Sequence, residues 1–300
     1  MAMNTQHLQY IIEIERTRSI SQAAENLFLG QPNLSRILRD MEESAGFAIF
    51  ERTSKGVRPT ERGALFLQHA RSILREVESI DALGPRHPVP NRLRVCIPRS
   101  VTVFEAVAEY LSQLPPQQSL RAIIRECHAR QALQWLVNGE AELALIRFRS
   151  EYRDYFAEQS AANGLELQIL SRFRYQLLMH RSHPLARKPS LTRADLAGFP
   201  EIVHSDLSRT GGKNEEQAVR KIYTVDRMAQ LTLLETLPGS YLWTAPLPVS
   251  ILARWNLIQK FCTENQAVYH DALLTNLSYK MTETEEGFRN AIVALYKSDS

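Results

Sequence analysis

Three prolines in six residues, at Pro85-Arg86-His87-Pro88-Val89-Pro90, constrain this chain more than any other stretch of it. A proline ring fixes φ, removes a backbone donor and pushes the residue before it into an extended conformation, so no helix runs through this segment. The patterns on its two sides differ. Before it the residues read as closely spaced helices; after it, short apolar runs alternate with helical patterns, as in an α/β domain. The 300 residues suffice for two domains, and 44% hydrophobic with 23% charged residues is an ordinary globular composition.

In the first part, Leu8, Ile11, Ile12 and Glu15 share one mostly apolar helical face. Ser19 and Ser21 offer cap chemistry ahead of a second helix, Gln22-Ala23-Ala24-Glu25-Asn26-Leu27. Leu29-Gly30-Gln31 forms a short connection whose glycine can turn left-handed, and Pro32 suits the first turn of a third helix. Ser21 to Ser44 therefore reads as helix, tight turn, helix. Phe47 to Arg52 reads as a strand and Thr53 to Thr60 as a tight loop with a return strand, together a wing. Thr60 can cap a long helix from about Glu61 to Leu83. Along it Phe66, Ala70, Ile73, Val77 and Ile80 recur at alternating steps of four and three, the spacing of a two-helix seam. The seam serves either dimerisation or packing within its own chain.

A helix-turn-helix reads DNA because the first turn of its second helix enters the major groove while flanking groups grip phosphates. That turn carries Gln31, Asn33, Ser35 and Arg36, with Arg39 one turn further on. Gln and Asn pair with adenine, Arg with guanine, and Ser with several partners. Leu34, Ile37, Leu38 and Met41 form the opposite, packed face. Charge alone does not mark this region as basic, since residues 1–80 hold ten Lys plus Arg and ten Asp plus Glu. The excess is local: Arg52, Lys55, Arg58, Arg62, Arg71 and Arg75 outnumber Glu51 and Glu61 between residues 51 and 75, where they hold phosphates or reach the minor groove. Taken singly, each of these arginines also reads as a solvated surface charge.

Residues 3 to about 75 resemble the LysR-type regulators. The likeness is carried by Leu8-x-Tyr10, Ser21-x-Ala23-Ala24-x-x-Leu27, Gln31-Pro32-x-Leu34-Ser35-Arg36, Phe50-Glu51-Arg52 and Thr60-Glu61-x-Gly63. It implies base and phosphate contacts on Gln31, Pro32, Asn33, Ser35, Arg36, Arg52 and Thr60, which the local charge extends to Arg39, Lys55 and Arg58. Asn33 departs from the small residue often found at its place.

After the prolines, Leu93 to Ile97, Ser119 to Glu126 and Ala141 to Ile146 read as strands, with helices over residues 100–114 and 129–138 between them. The alternation predicts a parallel sheet with a ligand pocket beyond its carboxyl ends. A second α/β unit runs from about Leu165 to Phe261, with strands at Tyr175 to His180, Glu201 to His204 and Tyr241 to Thr244; a helix over Thr284 to Tyr296 ends the chain. This half resembles the two-lobed, periplasmic-binding-protein-like effector domain of the same family in Gly139-x-x-Glu142-Leu143-Ala144-Leu145-Ile146 and His183-Pro184-Leu185-Ala186. The glycine-rich approach to the late strand is reduced to Pro238-Gly239-Ser240. The resemblance implies effector contacts at Ser100, Thr102, His128, Arg147, His204 and Ser205. A hydroxyl at a helix N-terminus plus an arginine suits an anionic effector; Ser100 as a mere helix cap and Arg147 paired to a carboxylate are the plainer alternatives.

The expected fold is α/β overall. A winged helix-turn-helix domain rich in α-helix covers 3–60, with its helix-turn-helix at about 20–39; a linker and dimerisation helix covers 61–84, a hinge 85–92 and the effector-binding domain 93–300. Lobe I takes about 93–163 and 268–300, and lobe II about 164–267. Expected partners are double-stranded promoter DNA, a small-molecule effector of unknown identity, a homodimer or homotetramer, and RNA polymerase, with no membrane, no metal and no cofactor. The amino terminus lacks the pattern of a secretory signal and no apolar run reaches the roughly 20 residues of a membrane span, which points to the cytoplasm. Cys96, Cys127 and Cys262 are odd in number, far apart and without C-x-x-C spacing, so reduced thiols are expected. G-x-S-x-G, H-E-x-x-H, phosphate-loop and G-x-G-x-x-G patterns are absent, which speaks against an enzyme. A transport-type binding protein is the nearest rival.

Overall fold

The structure is a computed structural model and describes residues 4–54, 56–81, 91–204 and 220–297. Lys55, Ser205 and the proline cluster lie outside the described residues. The amino-terminal domain opens with α1 (Thr5–Thr17), α2 (Ile20–Asn26) and α3 (Gln31–Ala45). Asn4 caps α1, and Ser19 caps α2 by accepting the Gln22 N–H. Gly46, left-handed at φ 75°, closes α3. Leu8, Ile11 and Ile14 of α1 join Ala23, Ala24, Leu34, Leu38 and Met41 in one buried core. Burying each large side chain of this set contributes about 1.5–3 kcal/mol.

The wing consists of β1 (Phe50–Thr53) and β2 (Gly56–Pro59), paired antiparallel with Glu51 opposite Arg58. Its first strand starts later than the sequence suggests. Glu42 explains this, because its carboxylate accepts the N–H groups of both Ile49 and Phe50 (2.7 and 3.0 Å) and so turns the chain before pairing begins. The Val57 N–H donates to the carbonyl of Arg18, which ties the wing to the end of α1. Helix α4 (Glu61–Asp81) follows directly.

The C-terminal part contains β3 (Asn91–Ile97), α5 (Val101–Gln113), β4 (Leu120–Glu126), α6 (Ala129–Val137), β5 (Leu143–Arg149), α7 (Arg153–Ala162) and β6 (Leu165–Arg174). There follow β7 (Gln176–His180), α8 (Arg193–Leu196), β8 (Pro200–His204), β9 (Arg220–Thr224), α9 (Arg227–Thr236) and β10 (Tyr241–Thr244). The chain continues through α10 (Val249–Arg254), β11 (Leu257–Lys260), β12 (Val268–Asn276) and α11 (Glu283–Lys297). Among the described residues two five-stranded sheets result, ordered β4-β3-β5-β12-β6 and β11-β7-β10-β8-β9.

Three expectations need correction. Neither sheet is purely parallel, since β12 runs antiparallel to both β5 and β6, and β7 antiparallel to β10 and β11. Strand β6, expected in lobe II, pairs with β12 from Leu165 to Arg174 and so belongs to the first sheet. Asn91 and Arg92, expected in the hinge, already lie in β3. The period-two alternation of β7 accounts for the second sheet's two covered faces: Leu177 and Met179 enter one apolar cluster with Leu191 and Tyr241, whereas Leu178 enters another with Ile202 and Leu231.

Candidate nucleic-acid interface and ligand cavities

Helix α3 has Gly30 as N-cap and Pro32 in its first turn, and buries Leu34, Leu38 and Met41. Gln31, Pro32, Asn33, Arg36 and Arg39 are exposed on its other side, with Ser35 half-buried. Two pairs organise this face: Gln31 Nε2 donates to Ser35 Oγ (3.1 Å) and Arg36 Nη2 to Asn33 Oδ1 (3.0 Å). One expectation about the turn fails. Gly30 has an ordinary φ of −68°, and the left-handed residue is Phe28 at φ 56°. Helix α2 ends at Asn26, so its closing turn falls two residues before the glycine.

The wing cations divide. Arg52 is exposed; Arg58 is ion-paired with its cross-strand neighbour Glu51, and Arg71 on α4 is ion-paired with Glu15 of α1. Arg71 therefore serves packing between these helices. Thr60 is also committed within the fold: its hydroxyl donates to Ala48 O (2.7 Å) and accepts the Gly63 N–H (2.9 Å), capping α4 as expected. Along α4 the heptad positions part company. Phe66 and Ala70 pack in the domain's own core, while Ile73 and Ile80 are 42% and 64% exposed. An apolar groove of about 390 Å³ lies beside them, lined by Leu8, Phe47, Leu65, Phe66, His69 and Ile73 among others.

Of the six residues expected to hold the effector, the five that are described do not share one cavity. His128, Arg147 and His204 line one of about 230 Å³, together with Arg99, Cys127, Tyr175, Glu201, Arg227, Trp243 and Tyr269. Ser100, Thr102 and, again, Arg147 line another of about 780 Å³ with Ser171, Asp271 and Tyr296. Ser100 caps α5, its Oγ accepting the Val103 N–H, and the Thr102 hydroxyl is buried without a hydrogen-bond partner among the described residues. His204 donates from Nε2 to Val225 O (2.9 Å), and its Nδ1 faces Arg99 Nη1 (3.5 Å).

Arg147 is bound in a two-pronged pair with Asp271, at 2.7 Å on both arms, and Tyr296 donates to the same carboxylate (2.7 Å). Burial alone would lower the proton affinity of Arg147, but the charge and hydrogen bonds of Asp271 outweigh it and leave that affinity raised. Arg227 differs. It is half-buried in the smaller cavity, has no hydrogen-bond or ion-pair partner among the described residues, and burial lowers its proton affinity, helped by the nearby positive charges of Arg147 and Arg99 and opposed by Glu126. Tyr175 and Tyr269 stack at 4.2 Å to form an aromatic wall, and burial pushes the Tyr269 phenol up to about 12. Burial also raises the Glu201 carboxyl. All three cysteines are free; a hydrogen bond with Cys96 holds the Cys127 thiol below its ordinary value, against the effect of burial.

Sequence reasoning missed Arg227 and Arg99. A signal existed for the first. Asp226 caps α9, so Arg227 sits in its first turn, at the positive end of the helix dipole, where a cation is disfavoured unless something anionic comes to it.

Two family models match the chain. The model of the bacterial regulatory helix-turn-helix protein, lysR family, covers residues 5–64, and that of the LysR substrate binding domain covers residues 87–239. The uncharacterized HTH-type transcriptional regulator YnfL of Escherichia coli K12 is 25% identical over 257 residues, 84% of this chain and 82% of that protein. The hydrogen peroxide-inducible genes activator of Pectobacterium carotovorum is 25% identical over 210 residues, 68% of this chain and 65% of its own length. The crystal structure of ArgP from Mycobacterium tuberculosis superposes with a TM-score of 0.64 at 16% identity, covering 98% of each chain, and shares the fold.

Proposed function

This chain belongs to the LysR family of transcription regulators, a family of DNA-binding proteins and not of enzymes, and on that premise we propose that a small anion in the Arg227 cavity controls its hold on promoter DNA. The observation that carries this reading is the half-buried guanidinium of Arg227, which has no hydrogen-bond or ion-pair partner among the described residues. A charge withdrawn from water costs several kcal/mol unless it is paired, so an anion seated beside Arg227 offsets part of that cost. Arg99 and His128 line the same space and Trp243 and the tyrosine pair supply apolar walls, a setting for a small carboxylate or phosphate ester. Ser100, Thr102, Arg147, His204 and Ser205 complete the effector set implied by the family.

On DNA, α3 reads bases through Gln31, Asn33, Ser35, Arg36 and Arg39, and the wing residues Arg52, Lys55 and Arg58 lie near phosphates, with Pro32 and Thr60 shaping the contact. The exposed Ile73 and Ile80 of α4 support a homodimer seam, from which a homotetramer can be built. Effector binding favours one arrangement of the two lobes and so alters the spacing of paired DNA-binding domains, which act on RNA polymerase at the promoter. Among the described residues no helix is long and apolar enough to cross a membrane, in keeping with work in the cytoplasm.

The test uses the full-length protein, a duplex it selects from random sequence, and matched panels of small carboxylates, phosphate esters and neutral amides. At least one anion is expected to alter both Trp243 fluorescence and DNA affinity, and Arg227→Gln to abolish both responses. A response that Arg227→Gln leaves intact, or that the neutral amide reproduces, overturns the anionic reading.

A further inference from the structure

The turn between α2 and α3 is closed by two backbone bonds, from Leu29 N–H to Ala24 O (2.8 Å) and from Phe28 N–H to Glu25 O (3.1 Å). This pairing is a Schellman closure, and it requires the residue just past the helix cap to be left-handed. That residue is Phe28, at φ 56°. Glycine or asparagine suits the position, because in other residues Cβ crowds the following carbonyl; a bulky aromatic there is a genuine outlier.

The ring gains nothing inside the fold in return. Phe28 is 96% exposed, the highest value among the exposed large hydrophobic side chains described, whereas its neighbours Leu27 and Leu29 both pack against the amino-terminal core. The residue thus costs stability through its backbone and leaves its apolar surface in water. Conformations of this kind persist where a function holds them. Its place in the chain indicates which function. Two residues separate Phe28 from Gln31, the first residue of α3, whose exposed side carries Asn33 and Arg36.

We infer that Phe28 is a further DNA-contacting residue, its ring lying against apolar surface of the duplex next to the bases read by α3. The inference rests on the family-level reading that α3 enters the major groove, which places the turn before it at the groove edge. Two apolar groups are available there, the C5-methyl of thymine, which phenylalanine is suited to contact, and the hydrocarbon edge of deoxyribose. The ring carries no charge, so its contact releases no counterion and leaves the salt dependence of binding unchanged.

The experiment compares full-length wild type with Phe28→Asn and Phe28→Gly on a duplex selected by the wild type from random sequence. Both variants are expected to keep or raise the thermal midpoint, since strain is relieved and no packing is lost. Affinity is expected to fall on the order of fivefold, from partial loss of one buried apolar contact, with the slope of affinity against salt unaltered. Deoxyuridine is then placed at each thymine in turn. A position where wild type loses affinity and Phe28→Asn does not identifies the methyl group; weakened Phe28→Asn binding with no sensitive position identifies deoxyribose. The inference is overturned by wild-type affinity in Phe28→Asn, by a lowered thermal midpoint, which makes the ring a packing element, or by a changed subunit number, which makes it a subunit contact. Arg36→Ala, run alongside, separates the two readings: unchanged sequence discrimination in that variant tells against α3 as the reading helix without touching the ring contact.

Discussion

Arg147 on β5 and Asp271 on β12 stand directly opposite each other in the antiparallel register, and their side chains, 10% and 1% exposed, close a two-pronged ion pair. Arg147 lines both cavities and Asp271 only the larger, and the pair's first duty is to hold these two strands of the effector domain together. Arg147→Ala leaves Asp271 buried with the Tyr296 hydroxyl as its one remaining side-chain partner among the described residues. Breaking such a pair costs about 3–5 kcal/mol. Urea unfolding is expected to show that loss, and the double variant Arg147→Met with Asp271→Leu to recover much of it. A silent effector response in Arg147→Ala is then a folding defect, which is why Arg227 is the cleaner probe of the ligand.

His183 makes stability depend on pH. Its Nε2 donates to Gly239 O (2.8 Å) and its Nδ1 accepts the Leu185 N–H (3.0 Å), an arrangement only the neutral ring can satisfy. Burial lowers its pKa, against the smaller opposing effect of the Gly239 bond. The native state therefore binds this proton less readily than the unfolded chain does. Its contribution is fully present above the ordinary histidine value near ~6.5 and is lost as pH falls from there through the depressed native value. Urea midpoints measured from pH 7.5 down to 5 are expected to fall for wild type and to fall less steeply for His183→Asn. Equal slopes would remove His183 as the cause.

Gly63 lies where no side chain fits. A Cβ there stands 1.9 Å from Ile49 O and 2.7 Å from Ile49 C, both backbone atoms that cannot swing away. Gly63→Ala must push the start of α4 off the approach to the wing, at roughly 3 kcal/mol for overpacking against a rigid wall. The expected result is a lower thermal midpoint and weaker DNA binding together. Thr60→Ala, which removes the α4 cap and the hydroxyl's bond to Ala48 O, is expected to cost about 1–2 kcal/mol by the same measurement.

Local chemistry was the legible part of this sequence. The caps at Ser19 and Thr60 and the buried positions Leu34, Leu38 and Met41 follow from residue type and spacing, and the structure has them as read. Properties set by distant partners were not legible. Leu165 is expected to open the second α/β unit, yet pairing with β12 decides that β6 joins the first sheet. The left-handed turn fell on Phe28 because α2 stops at Asn26, an end point that propensity fixes no better than a residue or two. Arg227 is unremarkable as a letter; it becomes a candidate receptor because the fold half-buries it with no hydrogen-bond or ion-pair partner among the described residues.

Discrimination between DNA sequences is expected to reside in Arg36. In the free protein its Nη2 is held by Asn33 Oδ1, which restrains the guanidinium on the exposed side of α3. A guanine offers O6 and N7 to the planar fork, and a bidentate contact of this kind is worth about 1–3 kcal/mol of base discrimination. Arg36→Ala should therefore lower affinity for a selected duplex by roughly fivefold to 150-fold while leaving nonspecific binding nearly unchanged. Arg52 provides the contrast, being an exposed wing cation with no base edge assigned to it. Arg52→Ala should weaken both kinds of binding alike and reduce the salt slope by about one. Competition titrations at several salt concentrations separate the two patterns, and an undiminished ratio of specific to nonspecific affinity in Arg36→Ala would show that bases are read elsewhere.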